Sequence, residues 1–295
     1  MTTIKQIEAF YWSGQLGSFV SAASRLNTTQ SNISKRIQEL EYSLSVELFD
    51  RAKRAIRLTA KGEELMRLSE EMLRIHLQLA KVGKSAPTIS GPFRFGVTES
   101  VALTWLTRLS ISIQDSFDGL IPIAYVDTSA NLNAMLLERK IDLAIATETN
   151  MDSSLLFKPL IPAERAWVAS PSLIEHDRKL TAAELSALPM LGHGDISVTN
   201  SVSRFLKQNG VTQRIVAASS SLSALLRMAI QGVGITYLHL DLVADDVRAG
   251  RLKVISTDVE LKPVMYVAAY RDDVISSVAE LVATKAHEVC RVSAR

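Results

Sequence analysis

Residues 18–41, SFVSAASRLNTTQSNISKRIQELE, and residues 48–62, LFDRAKRAIRLTAKG, decide how the rest of the chain is read. Ser18 is a good N-cap. Behind it Phe19, Ala22, Ala23 and Leu26 fall at i, i+3, i+4 and i+7, the stripe of a helix. Asn27, Thr28 and Thr29 interrupt that stripe, because such residues cap well and propagate helix poorly. A second stripe follows at Ile33, Ile37, Leu40 and Leu44. Small Ala22 and Ala23 allow the two helices to cross closely, as a helix-turn-helix requires. The outward face of the second helix carries Gln30, Ser31, Ser34, Lys35 and Gln38, which can hydrogen-bond base edges or phosphates and bear no negative charge. An ordinary amphipathic helix pair with a solvated polar face would look the same. The next segment favours DNA: Arg51, Lys53, Arg54 and Arg57 crowd between the apolar anchors Leu48-Phe49 and Ile56-Leu58, which suits a β-hairpin wing along a phosphate backbone.

Charge is distributed to match. Residues 1–62 hold nine basic and five acidic side chains, a net +4, while the remainder of the chain is −2. A basic head on a slightly acidic body is the footprint of a DNA-binding module fused to something else.

TQSNISKRIQELE, LFDR and RLTAKG resemble, in order and spacing, the N-terminal signature of LysR-type transcriptional regulators. Ser31 stands where that family often has proline, and Lys35 where it often has arginine; a lysine binds as a point charge rather than a bidentate fork. The resemblance implies a winged helix-turn-helix over residues 1–62, an interrupted inverted-repeat operator in double-stranded DNA, and a homo-oligomer, up to a tetramer.

A first helix is expected over 4–12, ended by Gly14 and Gly17. After the wing, a long helix is expected over 59–83, with Leu65, Leu68, Met72, Ile75, Leu79 and Val82 spaced 3, 4, 3, 4, 3. That is a heptad seam, and a seam needs a partner: the chain's own core, or the same helix of a second copy. The position of the helix between two regions, followed by the breaker run 83–92, favours dimerisation.

From Phe93 short apolar strands alternate with helices, the texture of an α/β body. Strands are expected at 93–97, 121–126, 141–146, 166–169, 190–192, 215–218, 234–238, 252–255 and 264–269. Helices are expected near 100–116, 130–139, 181–187, 199–209, 221–231, 239–248 and 274–290. IDLAIATE, MAIQGVGITYLHLDLV and AGRLKVI resemble the LysR effector domain, itself similar to periplasmic binding proteins. The implied effector-binding domain spans 92–295, with lobe one at 92–162 and 265–295, lobe two at 163–264, and an effector between them.

Ligands of open α/β sheets bind beyond the carboxyl ends of strands, near helix N-termini. Thr98 and Ser100 follow the first strand, Thr128 and Ser129 the second, and Thr147 the third. These hydroxyls could hold a small polar metabolite, or simply cap helices. Ser100, Ser129 and Thr147 also match positions where relatives hold effectors. Glu99 disfavours an anionic effector unless it points away or serves as a capping charge. In the second lobe His193 and Ser197 follow a strand and could close the cleft, though a histidine beside glycine often has a structural role.

No G-x-S-x-G elbow, P-loop or H-E-x-x-H occurs, and Gly232-Val-Gly234 precedes a strand rather than following one, so no catalytic residues are assigned. The single cysteine, Cys290, excludes an intramolecular disulfide and a multi-cysteine metal site; no metal or cofactor is expected. The N-terminus lacks the apolar core of a signal peptide, and no stretch is long and apolar enough to span a membrane, so the expected location is the cytoplasm, without a membrane partner. A solute-binding module without a transcriptional role would explain the body, but not the basic head.

Overall fold

The computed structural model of the chain describes residues 2–26, 28–50, 56–82, 91–117, 119–174, 178–194, 201–273 and 276–293. In chain order the elements are α1 (Ile4–Leu16), α2 (Phe19–Arg25), α3 (Gln30–Leu44), β1 (Phe49–Asp50), β2 (Arg57–Leu58), α4 (Ala60–Val82), β3 (Gly91–Val97), α5 (Glu99–Thr104), α6 (Leu106–Ser116), β4 (Leu120–Val126), α7 (Ser129–Leu137) and β5 (Leu143–Thr147). They continue with β6 (Leu156–Ala163), β7 (Arg165–Ala169), α8 (Ala182–Ala187), β8 (Met190–His193), α9 (Ser201–Gln208), β9 (Ile215–Ser219), α10 (Leu222–Ile230), β10 (Thr236–His239), α11 (Leu240–Arg248), β11 (Lys253–Val254), β12 (Val264–Tyr270) and α12 (Ser276–Ser293). Two compact units result. The first comprises Met1–Val97, Arg108–Lys158 and Val267–Glu288, the second Thr98–Thr107, Pro159–Tyr266 and Val289–Arg295.

In the first unit, caps fix the helix starts. Thr3 and Gln6 form a capping box on α1, Ser18 Oγ accepts from the Ser21 N–H (3.2 Å), and Thr29 Oγ1 accepts from the Asn32 N–H (3.3 Å). Gly14 does not end α1; the helix runs on to Leu16 and stops at Gly17, which takes the left-handed conformation (φ 59°). Gly14 instead permits close packing, since a Cβ there would lie 2.1 Å from Met66 Cε of α4. Ile7, Phe10, Ala22, Ala23, Ile33, Ile37 and Leu40 bury together with Leu48 and Phe49. Leu44 departs from the expected stripe: it is the last residue of α3 and is exposed, and Ser45 after it caps the helix in the left-handed conformation at φ 54°.

The wing strands β1 and β2 pair antiparallel through Phe49↔Leu58 and Asp50↔Arg57. Buried Glu41 anchors them, its Oε1 accepting the N–H groups of Leu48 (2.9 Å) and Phe49 (3.4 Å). Gly62 lets α4 pass beneath: a Cβ there would lie 2.2 Å from the Leu48 carbonyl oxygen. Helix α4 turns Leu65, Met66 and Leu73 toward the head core. Leu68, Met72 and Ile75 of the same helix are left 57%, 41% and 49% exposed. The side chains of Leu79 and Val82 lie outside the described residues.

A five-stranded sheet in the order β4-β3-β5-β12-β6 forms the body, with β3 parallel to both β4 and β5. The chain passes from one unit to the other within β6 and β12. In the second unit β7 pairs antiparallel with β10 and β11, and β8 runs parallel to β9. Its cores gather Trp167, Leu185, Met190, Leu206 and Ile235, and Val168, Leu191, Leu225 and Val243. The single helix expected over 100–116 is instead two, α5 and α6, because Trp105 leaves helical geometry at φ −133°.

Candidate nucleic-acid interface and effector site

Burial of Ile33, Ile37 and Leu40 fixes which side of α3 faces out. On that side Gln30, Ser31, Lys35 and Gln38 are exposed and Ser34 is half-buried. The N-terminal turn is braced locally: Asn32 Nδ2 donates to Thr28 Oγ1 (3.1 Å), and the Thr29 and Ser31 hydroxyls lie 3.0 Å apart. Gln6 Nε2 donates to Glu39 Oε2 (3.1 Å), tying that carboxylate to α1. A helix with this polar, acid-free leading face, backed by a packed helix pair, is what a major groove admits. Arg57 is exposed on β2. Arg51 and Arg54, expected on phosphates, lie outside the described residues.

In the first unit, β5 and α7 bring Thr147 and Ser129 together. Thr147 Oγ1 lies 3.1 Å from Ser129 Oγ, which also accepts from the Thr147 N–H (3.3 Å). Both residues are half-buried. Thr128 takes a capping role, its Oγ1 accepting from the Asn131 N–H at 3.3 Å.

In the second unit, Thr98 Oγ1 donates to the hydroxyl of Tyr266 (3.3 Å), and Ser100 is buried beside the same phenol. Sequence reasoning missed Tyr266, whose place is set by β12, 166 residues after Ser100. Ser100, Thr104, Trp105, His239, Asp241 and Tyr266 line a cavity of about 30 Å³. That is room for water, against the roughly 300–1,000 Å³ of a small-molecule site. Glu99 is a capping charge: Oε2 accepts the Leu222 N–H (2.8 Å), and Oε1 accepts the hydroxyls of Ser221 and Ser223 (both 2.9 Å) at the start of α10. Burial pushes its pKa up, but the donors of Leu222, Ser223 and Ser221 outweigh that and hold the carboxyl below its ordinary range.

His193 lies beside Thr236, with Nε2 3.0 Å from Oγ1, and stacks on Tyr237 at 4.2 Å. Burial lowers its pKa to about 4, and His239 falls to about 4 by burial and the nearby Arg165. Ser197 lies outside the described residues. Both imidazoles are neutral in the folded chain, whereas the unfolded chain protonates them near 6.5, so below that pH the unfolded state binds more protons. Stability is therefore full above about pH 6.5 and falls as pH drops toward 4, by on the order of 2 kcal/mol per histidine by about pH 5. Urea unfolding at about pH 7 and pH 5 checks this. His193→Gln should shrink the difference between the two midpoints; an equal difference in the variant would contradict the reading.

Among the described residues no group of three His, Cys, Asp or Glu is placed to hold a metal, and no helix is long and apolar enough to cross a membrane. Residues 4–63 match the family "Bacterial regulatory helix-turn-helix protein, lysR family", and residues 87–291 match "LysR substrate binding domain". The chain belongs to the LysR family of transcriptional regulators. Within this LysR family it is similar to the HTH-type transcriptional regulator BbuR of Bordetella bronchiseptica, 31% identical over 83% of this chain and 77% of the relative. YofA of Bacillus subtilis is 29% identical over 75% and 76%. Among solved structures, CrgA of Neisseria meningitidis shares the fold at TM-score 0.58 and 20% identity, covering 100% of both chains. ArgP of Mycobacterium tuberculosis does so at TM-score 0.57 and 24% identity, covering 95% and 96%. The LysR helix-turn-helix and substrate-binding regions thus account for both the basic head and the α/β body.

Proposed function

We propose that this LysR-family regulator acts in the cytoplasm, reading an interrupted inverted-repeat operator with α3 and responding to a small polar effector held in its C-terminal domain. The observation that carries the reading is the outward, acid-free face of α3. Gln30, Ser31, Ser34, Lys35 and Gln38 meet base edges and nearby phosphates, while Arg51, Arg54 and Arg57 lie along the backbone. Residues 1–62 form the DNA-binding domain, 59–83 the linker helix that pairs two copies, and 92–295 the effector domain. The protein has no catalytic role in this account.

Support for the effector site comes from Ser129 and Thr147, two half-buried hydroxyls in contact at the end of β5 and the start of α7. The N-terminus of α7 adds a positive dipole, which favours a carboxylate or another acceptor. A thermal-shift screen of small carboxylates and neutral polar metabolites on the full chain tests this. A ligand at a hundredfold excess over its Kd stabilises by about 2.7 kcal/mol, a shift of a few degrees. The shift should vanish in Ser129→Ala/Thr147→Val and persist in Thr128→Ala, which loses only a cap worth roughly 1 kcal/mol. Persistence in the double variant would place the effector elsewhere.

A further inference from the structure

The head and the body of the first unit meet through a buried cluster of charges. Arg25, the last residue of α2, has its guanidinium 4.6 Å from the centre of the Trp12 ring. Its Nη1 lies 2.8 Å from Asp142 Oδ2, with side chains 10% and 2% exposed. Asp142 Oδ2 also accepts the Arg94 N–H (3.0 Å). Arg271 braces the site, its Nη2 3.9 Å from Asp142 Oδ1, its Nε donating to Asp273 Oδ2 (2.8 Å) and its Nη1 to the Ile141 carbonyl (2.8 Å). Asp273 Oδ2 also accepts from Arg139 Nη1 (2.7 Å), and Arg139 in turn faces the buried phenol of Tyr11 on α1.

These are two different kinds of hold on one side chain. The indole supplies a face for the guanidinium, and the carboxylate supplies the countercharge. Arg25, Trp12 and Tyr11 belong to the two helices that back α3, and their partners belong to turns of the body. Asp142 directly precedes β5, and Thr147 ends that strand, roughly 16 Å away at about 3.3 Å per residue. One strand thus follows directly on the residue that holds the head and ends at a proposed effector hydroxyl.

We infer that Arg25, clamped between Trp12 and Asp142, is a latch that holds the helix-turn-helix against the ligand-binding body, and that its release raises affinity for DNA. Latched, the guanidinium is neutralised and buried; released, it rejoins the basic head, which is free to reorient on the duplex. The inference rests on the reading of α3 as the DNA-contacting helix and adds how the body would control it. A coupling of this kind amounts to roughly 5- to 150-fold in affinity.

The test uses the full chain and a random-sequence duplex of about thirty base pairs. Asp142→Asn, which alters no residue proposed to touch DNA, should bind that duplex at least fivefold more tightly by fluorescence anisotropy. Amide hydrogens of α1 and α2 should exchange faster in the same variant. Arg25→Met, which keeps an apolar stem on Trp12, should show the same faster exchange and provides the second route if Asp142→Asn fails to fold. Faster exchange with unchanged affinity would make the contact structural only and overturn the control it is assigned. Unchanged exchange in a folded variant would overturn the latch itself. If the unaltered chain binds no duplex, the DNA reading fails instead, and exchange alone then decides whether the latch exists.

Discussion

A chain carrying Leu68→Lys and Ile75→Lys is expected to run as a folded monomer where the unaltered chain runs as a dimer or larger. The expectation comes from how α4 divides its faces. Leu65, Met66 and Leu73 serve the head core, whereas Leu68, Met72 and Ile75 stand exposed along the same helix. Their spacing of 4 and 3 is that of a heptad seam, which the sequence continues through Leu79 and Val82. Lysine at an exposed site costs a single chain little, but in a paired seam it buries unpaired charge at a cost of several kcal/mol. A loss of about 3 kcal/mol raises the dimer dissociation constant roughly a hundredfold. Light scattering over a concentration series reads this directly, and circular dichroism confirms that the variant stays folded. A double variant that remains dimeric would move the interface off this helix. Leu73→Lys serves as the contrast, since it should unfold the head rather than separate copies.

The other large effect is expected at α3. Lys35→Glu places a negative charge on the face proposed to enter the groove, replacing an attraction by a repulsion near phosphates and base edges. Operator affinity should fall about a hundredfold or more, since one good base contact alone contributes roughly 1–3 kcal/mol. Arg57→Ala on the wing should behave differently: it should weaken all sequences alike and lower the slope of log affinity against log salt by about one. Lys35 is exposed and Arg57 lies on the short β2 strand, so neither change disturbs the core.

Local patterning made most of this fold legible. The caps Ser18 and Thr29 and the stripe of Ile33, Ile37 and Leu40 place α2 and α3 where propensity and periodicity put them. Strand β6 was not legible: LFKPLIPA carries Pro159 and Pro162 and shows no alternation, and its place at the sheet edge comes from tertiary pairing. Gly14 misled for a related reason. A glycine inside a helix reads as a stop, but here it is the point where α4 presses against α1. The heptad seam was visible as spacing, yet only the packed head shows that Leu65 faces inward while Leu68, Met72 and Ile75 do not.

The sites follow the same rule. Ser129 opens α7 and Thr147 ends the neighbouring β5, so topology alone brings their hydroxyls near, and they meet. Tyr266 beside Thr98 and Ser100, and the start of α10 beneath Glu99, join residues more than a hundred positions apart. No local pattern announces such pairs, because they depend on how strands are ordered in the sheet. Arg25 is the clearest case: it ends a short helix, and its partner Asp142 is 117 residues away.

Selection of duplexes from a random pool by the full chain decides whether α3 reads sequence. Enrichment of an interrupted inverted repeat is expected, with half-sites in major grooves that a paired α4 can reach, and loss of that enrichment with Lys35→Glu. Recovery of no common sequence by a folded, dimeric chain, or the same enriched sequence from Lys35→Glu, would contradict it.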